Sequence, residues 1–399
     1  MSAIAAYPVN PLAPPEPDLR QDLLSGKRVA IVAERLIDMR GGERVVTAVA
    51  DMIPHADIYA TVVGDKGLPD FGGRRVHTSF VQGLPGAKRF FRAYLPLYPM
   101  AVEHLDLQRY DVVVSLSSAF AHGALTSPET THVCYCHTPL RFAWNYQHAY
   151  SRSSNPLVRS ITTPLLHYVR SWDVAASHRV DAYVANSRNV QRRLWKYYRR
   201  ESTVIHPPVD TSRFFPIGDR GDHYLIVSAL NAYKRVDIAV AAFSRLGLPL
   251  YVVGSGPDEA RLRSRAADNV KFLGRVSETD LARLYATCKA FVFTSDDDFG
   301  ISPVEAQAAG RPVIAYGAGG AIETVEPGVT GVLFSDQTAA CLEDTIQSFD
   351  PDAYRPAAIR AHAMRFSADR FQHEFGRFLE ASSKAPGAQE RPWPTLQVL

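Results

Sequence analysis

The chain has 399 residues, enough for two ordinary domains, and its 46% hydrophobic and 21% charged residues are usual for a water-soluble globular protein. A net charge of +3 hides an asymmetry: residues 1–206 carry 24 Lys+Arg against 17 Asp+Glu and the remainder 20 against 24, as expected of two units with different partners. No apolar run nears 18 residues, which excludes a helical membrane span; the four cysteines, Cys134, Cys136, Cys288 and Cys341, do not complete a zinc pattern and are expected as reduced thiols.

Residues 1–26 are rich in Pro and Ala and lack the basic start and apolar core of a signal peptide, so they are expected to be a flexible tail. Arg28–Val32 reads as a strand, followed by a loop from Glu34 that ends Met39-Arg40-Gly41-Gly42, and then a helix from Glu43 to about Met52. Strand, Gly-Gly turn and helix open a Rossmann-type unit, without the G-x-G-x-x-G of a dinucleotide site. Further strands are predicted at Ala56–Val63 and Tyr110–Ser115. Between them, residues 86–99 are basic and aromatic. That composition suits anionic lipid headgroups, and it equally suits an amphipathic helix packed on its own domain.

His132–Cys136 reads as a strand that leads to His137 and stops before Pro139. Ligands of open α/β sheets bind at that edge, although a histidine there also serves structure alone. Residues 141–200 hold 11 Lys+Arg and two acids, Asp173 and Asp181. No nucleic-acid module surrounds this stretch; a membrane face, a pyrophosphate-bearing lipid or a plain exposed helix face fits it better. Val180–Ser187 is the last strand and turn of the first domain, and the Pro-stiffened run Val204–Asp210 reads as the linker.

The second domain opens with the strand Tyr224–Leu230, the loop Asn231–Arg235 and a helix from Val236 to Leu246. Lys234 and Arg235 in that loop could offset a diphosphate or simply flank a helix. Strands follow at Leu250–Val253 and Val270–Val276. The most informative stretch is 291–325, which opens with the strand Phe291–Thr294 and the acidic turn Asp296-Asp297-Asp298. Gly300-Ile301-Ser302-Pro303 leads into a helix over 304–309 that Gly310 stops. Strand, glycine turn and helix start make an anion site, because free N–H groups and the positive helix end converge there. Glu305 stands eight positions after Asp297 on the first helical turn, where it can accept hydrogen bonds from a ribose or merely cap the helix. A strand at 312–316, the turn Gly317-Ala318-Gly319-Gly320 and another helix come next. Residues 366–378 have helical apolar spacing at Phe371, Phe375 and Phe378.

Two runs, DFGISPVEAQAAGRPVIAYGAGG and CYCHTPLRFAWN, resemble the retaining family 4 (group 1) glycosyltransferases, nearest the bacterial mannosyltransferase-like branch of polysaccharide and O-antigen synthesis. The resemblance runs from about residue 28 to 382. It implies an α/β GT-B fold: two Rossmann-like domains, 27–206 for the acceptor and 207–365 for the nucleotide sugar, facing each other across a cleft. Residues 366–382 would form a helix crossing back onto the first domain, and 383–399 a second flexible tail. By resemblance Glu305 takes the donor ribose, and Gly300, Ile301, Ser302 and Pro303 frame the diphosphate and sugar. Lys234 holds the diphosphate, Gly274, Arg275 and Val276 meet the base, and Gly41 and Gly42 let the first domain's backbone approach the phosphates. His137 lies beside the transferred sugar, with Arg141 and Trp144 on the acceptor side. Two positions depart from the family: Asp297 stands where Glu is usual, and Ala229 replaces an Arg of the phosphate clamp, for which Arg235 is the nearest substitute.

The implied reaction is transfer with retention from a nucleotide sugar, GDP-mannose first, to a lipid-linked oligosaccharide. A front-face attack needs no protein base, so Lys234, Asp297 and His137 would stabilise and position. Neither a cofactor nor a metal is expected. The expected location is peripheral, on the cytoplasmic face of the inner membrane, reached through the basic and aromatic segments. Donors carrying dTDP-rhamnose or a UDP-sugar remain open, as does a non-catalytic protein that binds sugar nucleotides or polysaccharide.

Overall fold

A computed structural model describes residues 23–37, 41–65, 71–144, 156–216 and 220–384. Met39 and Arg40 of the first glycine loop, and the expected tails before residue 23 and beyond 384, lie outside the described residues.

Two parallel sheets form two Rossmann-like units. The first contains β1 (Val29–Leu36), β2 (Asp57–Val63), β3 (Val76–Thr78), β4 (Val112–Ser117), β5 (Thr131–Cys136), β6 (Ala182–Ala185) and β7 (Thr203–Val204) in the order β3-β2-β1-β4-β5-β6-β7. The second contains β8 (Tyr224–Val227), β9 (Leu250–Val253), β10 (Val270–Gly274), β11 (Phe291–Phe293), β12 (Val313–Tyr316) and β13 (Gly331–Phe334) in the order β10-β9-β8-β11-β12-β13. Helices cover both faces, so the strands are nearly continuous apolar runs such as Val112-Val113-Val114 and Val313-Ile314-Ala315, all fully buried. In each sheet the strand order reverses once, between β1 and β4 and between β8 and β11. Those two crevices are where a sheet of this kind admits ligands.

Several elements differ from expectation. β1 continues through Glu34 to Leu36, because Glu34 is buried with its carboxylate satisfied from elsewhere in the chain. Backbone N–H groups of Ser118, Ala119 and Phe120 and the Ser118 hydroxyl all donate to it. Leu23 and Leu24, in the stretch expected to be tail, are buried in the first core, where two leucines remove apolar area from water. Residues 86–99 form no single helix: Ala87–Phe90 is one turn, Phe91–Leu97 is a 3-10 segment that includes Pro96, and Tyr98–Glu103 is helical. Among the described residues no helix is long and apolar enough to cross a membrane.

The helix Ala368–Lys384 follows the second domain in the chain yet buries Phe371, Phe375 and Leu379 in the core of the first. Tyr135 of β5 meets the rings of Phe371 and Phe375 edge-on at 5.7 and 5.6 Å. A second tie lies at Glu323, on the short helix Ala321–Thr324. Its carboxylate accepts from the N–H groups of Arg188 and Asn189, at 2.9 and 3.1 Å, at the start of the first-domain helix Arg188–Tyr198. A carboxylate is favoured at that positive end. His206, in the linker, lies 3.1 Å from the same group.

Truncating Phe371 to Ala should cost about 3–5 kcal/mol of first-domain stability through the cavity it leaves. Urea unfolding tests this, and an unchanged midpoint would contradict the packing described. Glu323 gives a pH-dependent contribution. Burial alone would raise its pKa, but the bonds from His206, Arg188 and Asn189 outweigh it and hold the carboxyl below its ordinary 4.5. A carboxylate lowered on folding adds stability above its unfolded pKa and loses it as pH falls through the folded one. The stability gap between wild type and Glu323→Gln should therefore be widest near neutral pH and close as the pH falls below that 4.5. A gap independent of pH would contradict the assigned ionisation.

Candidate active site

The second domain's crevice is built from the loop after β8 and the turn after β11. Lys234 ends a short 3-10 turn in the first loop, and its carbonyl accepts from the Thr294 hydroxyl at 3.0 Å. Its ammonium donates to Asp297 Oδ2 at 2.5 Å. Burial acts to lower the Lys234 pKa, but the adjoining Asp297 carboxylate and Tyr233 carry it above the ordinary value. Lys234 is therefore a fixed positive charge at neutral pH. Beyond Asp298 the chain turns at Gly300, φ +85°, into the helix Ile301–Ala308, which begins three residues earlier than the sequence pattern indicated. Gly300 brings no side chain to cap that helix, so Ile301 and Ser302 present backbone N–H groups at its mouth. Pro303 has no N–H to present and only shapes the turn. The turn 317–320 lies directly against this loop: the Gly320 N–H donates to the Asp297 carbonyl at 2.8 Å. A Cβ on Gly320 would meet the Phe299 carbonyl oxygen at 2.2 Å, so only glycine allows the approach.

The first domain faces this mouth. Gly41 starts the helix Gly41–Met52, and a Cβ there would sit 2.7 Å from Ile301 Cδ1 across the cleft. One added to Gly42 would lie 3.9 Å from His137 Nε2. Gly41, Gly42, His137 and Ile301 thus meet, joining positions more than 250 residues apart in sequence. His137 sits just past β5, partly exposed, and burial lowers its pKa to about 4, so the imidazole is neutral at pH 7. At the first domain's own reversal, between β1 and β4, the Glu34 carboxylate accepts from the N–H groups that follow β4.

Ion pairs cross the cleft. Glu305, buried, accepts from Arg44 Nη1 at 2.8 Å and from the Tyr285 hydroxyl at 2.8 Å, with Arg213 Nη2 3.9 Å away. Arg141 donates to Asp298 Oδ2 at 3.2 Å and to the Asp296 carbonyl at 3.1 Å. Arg193 donates to the other oxygen of Asp298. Burial raises the Asp298 pKa, and the two guanidinium groups pull against that rise. Arg44, Arg193, Arg213 and Tyr285 carry no local motif. Arg193 lies within the basic run already noted, but its target is 105 positions away.

Other predicted residues sit apart from this convergence. Arg235 adopts φ +54° and turns its guanidinium to Asp237 and Gln337, both at 3.2 Å. Trp144 donates its indole N–H to Asp173 at 2.8 Å and stacks on Tyr197, so it anchors two helices together. Gly274, Arg275 and Val276 lie at the end of the edge strand β10, where Arg275 is exposed and reaches Ser255 at 3.4 Å. No three His, Cys, Asp or Glu side chains among the described residues are grouped to hold a metal ion.

The fold and its halves have known counterparts. Residues 39–213 match Glycosyltransferase Family 4, and residues 211–363 match Glycosyl transferases group 1. A D-inositol 3-phosphate glycosyltransferase of Mycobacterium marinum is 30% identical over 219 residues, 47% of this chain and 47% of that protein. A glycogen synthase of Mycobacterium tuberculosis is 31% identical over 222 residues, 51% of this chain and 53% of that one. The chain spans about half the length of the curated relatives it matches. Among solved structures, Anabaena HepE in complex with UDP aligns with TM-score 0.64 at 18% identity, covering 89% of this chain and 100% of that one. Sucrose-phosphate synthase from Thermosynechococcus elongatus aligns with TM-score 0.68 at 18% identity, over 89% and 98%. These neighbours share the GT-B architecture of two facing Rossmann-like domains, and each half of the chain matches a glycosyltransferase family model of its own.

Proposed function

We propose that this protein is a retaining glycosyltransferase that moves a sugar from a nucleoside diphosphate to an acceptor glycan. The observation that carries the reading is the placement of Lys234 and the mouth of the Ile301–Ala308 helix at the second domain's strand-order reversal. There a departing diphosphate meets an ammonium and backbone N–H groups in a buried setting, where such charges act strongly. The bond from the anomeric carbon to the diphosphate breaks, and the acceptor hydroxyl attacks from the same face. Its proton passes to the leaving phosphate oxygen, so no protein base is required and no metal is called for. Neutral His137 beside Gly42 is placed to polarise and orient, and Asp297 to hold Lys234 in place. Glu305 takes the ribose: a carboxylate accepts at about four positions, and Arg44 and Tyr285 occupy two. Entry of the nucleotide displaces Arg44 from Glu305.

The donor sugar rests on the resemblance of the CYCHTPLRFAWN run, which favours GDP-mannose and a lipid-linked oligosaccharide of exopolysaccharide or O-antigen synthesis. A second reading, a UDP-sugar, is favoured by the solved complex of HepE with UDP-glucose, to which this chain aligns with TM-score 0.62. Peripheral association with the cytoplasmic face of the inner membrane is proposed for residues 86–99, where Phe90 is more than half exposed and Arg89 lies against its ring.

Incubation with GDP-mannose, dTDP-rhamnose and UDP-glucose in the presence of a membrane extract should give transfer from one donor. Glu305→Ala should abolish donor use. Lys234→Ala should lower kcat by about 10²–10³, as loss of one preorganised charge donor does. Nucleotide binding without turnover by the wild type would support the non-catalytic alternative, and full activity of either variant would contradict its role.

A further inference from the structure

The charges around the acidic turn do not balance within one domain. The turn carries three carboxylates, Asp296, Asp297 and Asp298, and the ammonium beside it, Lys234, already pairs with Asp297. The adjoining Arg235 is committed to Asp237 and Gln337, and position 229, two residues beyond β8, is an alanine. A diphosphate brought here would meet more negative charge than positive on the second domain alone. The compensating cations come from the first domain. Arg141 spans the turn, donating to the Asp296 carbonyl and to Asp298, and lies near enough for its charge to act on Lys234. Arg193 grips the second oxygen of Asp298. Two guanidinium groups on one buried carboxylate are one more than its charge requires. If Arg141 moves to a stronger anion, Arg193 stays, and Asp298 is not left as an unpaired buried charge.

We propose that Arg141 is a second phosphate-binding cation of the site, supplied across the cleft by the first domain and held on Asp298 until a nucleoside diphosphate arrives. The inference rests on the nucleotide-sugar reading above and adds the residue that senses the second phosphate. Its consequence is a link between domain closure and chemistry: a donor held by the second domain alone lacks a full set of charges for its leaving group. Closure of the first domain completes that set. Arg141 touches the leaving group directly in this account, whereas Arg193 positions it by keeping Asp298 neutralised.

The test compares binding of UDP with UMP, and of GDP with GMP, to the full chain by titration calorimetry. The wild type should prefer a diphosphate. Arg141→Ala should weaken diphosphate binding by about tenfold or more, the usual worth of a charged hydrogen bond, and leave monophosphate binding within about twofold. Asp298→Asn breaks the same contact but keeps the guanidinium, so the diphosphate preference should persist. Arg141→Ala with the wild-type preference would overturn the proposal. So would equal losses of mono- and diphosphate binding in Arg141→Ala, or an Asp298→Asn variant as impaired as Arg141→Ala, since each would reduce Arg141 to a structural contact. A wild type that binds neither UDP nor GDP would remove the donor reading itself, and this inference with it.

Discussion

Opposite charges brought together across the cleft are the constraint on which the rest depends. Glu305 with Arg44, and Asp298 with Arg141 and Arg193, join groups from two domains whose sequence positions differ by 105 to 261. Each carboxylate is largely removed from water, a state that is costly unless a cation and hydrogen bonds accompany it. The second domain therefore holds acids that need the first domain, and the first holds arginines that need the second. An anionic ligand entering between them exchanges partners with groups already present, so the cleft needs no large reorganisation of charge to receive it.

The two sheets explain why these groups meet. A parallel sheet with one reversal of strand order leaves a crevice at its carboxyl edge, and the domains turn those edges towards each other. In the second domain the crevice carries Lys234 on one side and the Gly300 turn on the other. In the first, the Glu34 carboxylate takes the N–H groups after β4, and the Gly41–Gly42 turn and His137 approach the second domain. Phe371 and Phe375, returning from the far end of the chain to Tyr135, hold the arrangement together from behind.

Much of the fold was legible in local pattern. The apolar runs marked most strands, and Val236–Leu246 lies where its periodicity places it. Three short strands, Val76–Thr78, Thr203–Val204 and Gly331–Phe334, were not marked, because they lack the unbroken buried apolar run that marked others as short, such as Phe291–Phe293. Glu34 inside a buried strand was unreadable for a different reason: the groups that make it tolerable lie 84 to 86 positions on. The glycine turns, Lys234 and Glu305 were legible as a motif. Their partners were not, since Arg44, Arg193 and Tyr285 have ordinary neighbours and gain their roles only when two domains close. Trp144 and Arg235 show the converse, for residues prominent in sequence proved committed to Asp173, and to Asp237 and Gln337.

A crystal structure of the protein with bound UDP or GDP tests the central claim most directly. The account predicts phosphate oxygens within hydrogen-bonding distance of Lys234 Nζ and of the Ile301 or Ser302 N–H, with the ribose against Glu305. A diphosphate seated away from the mouth of that helix and out of reach of Lys234, with Glu305 still locked to Arg44, would contradict it.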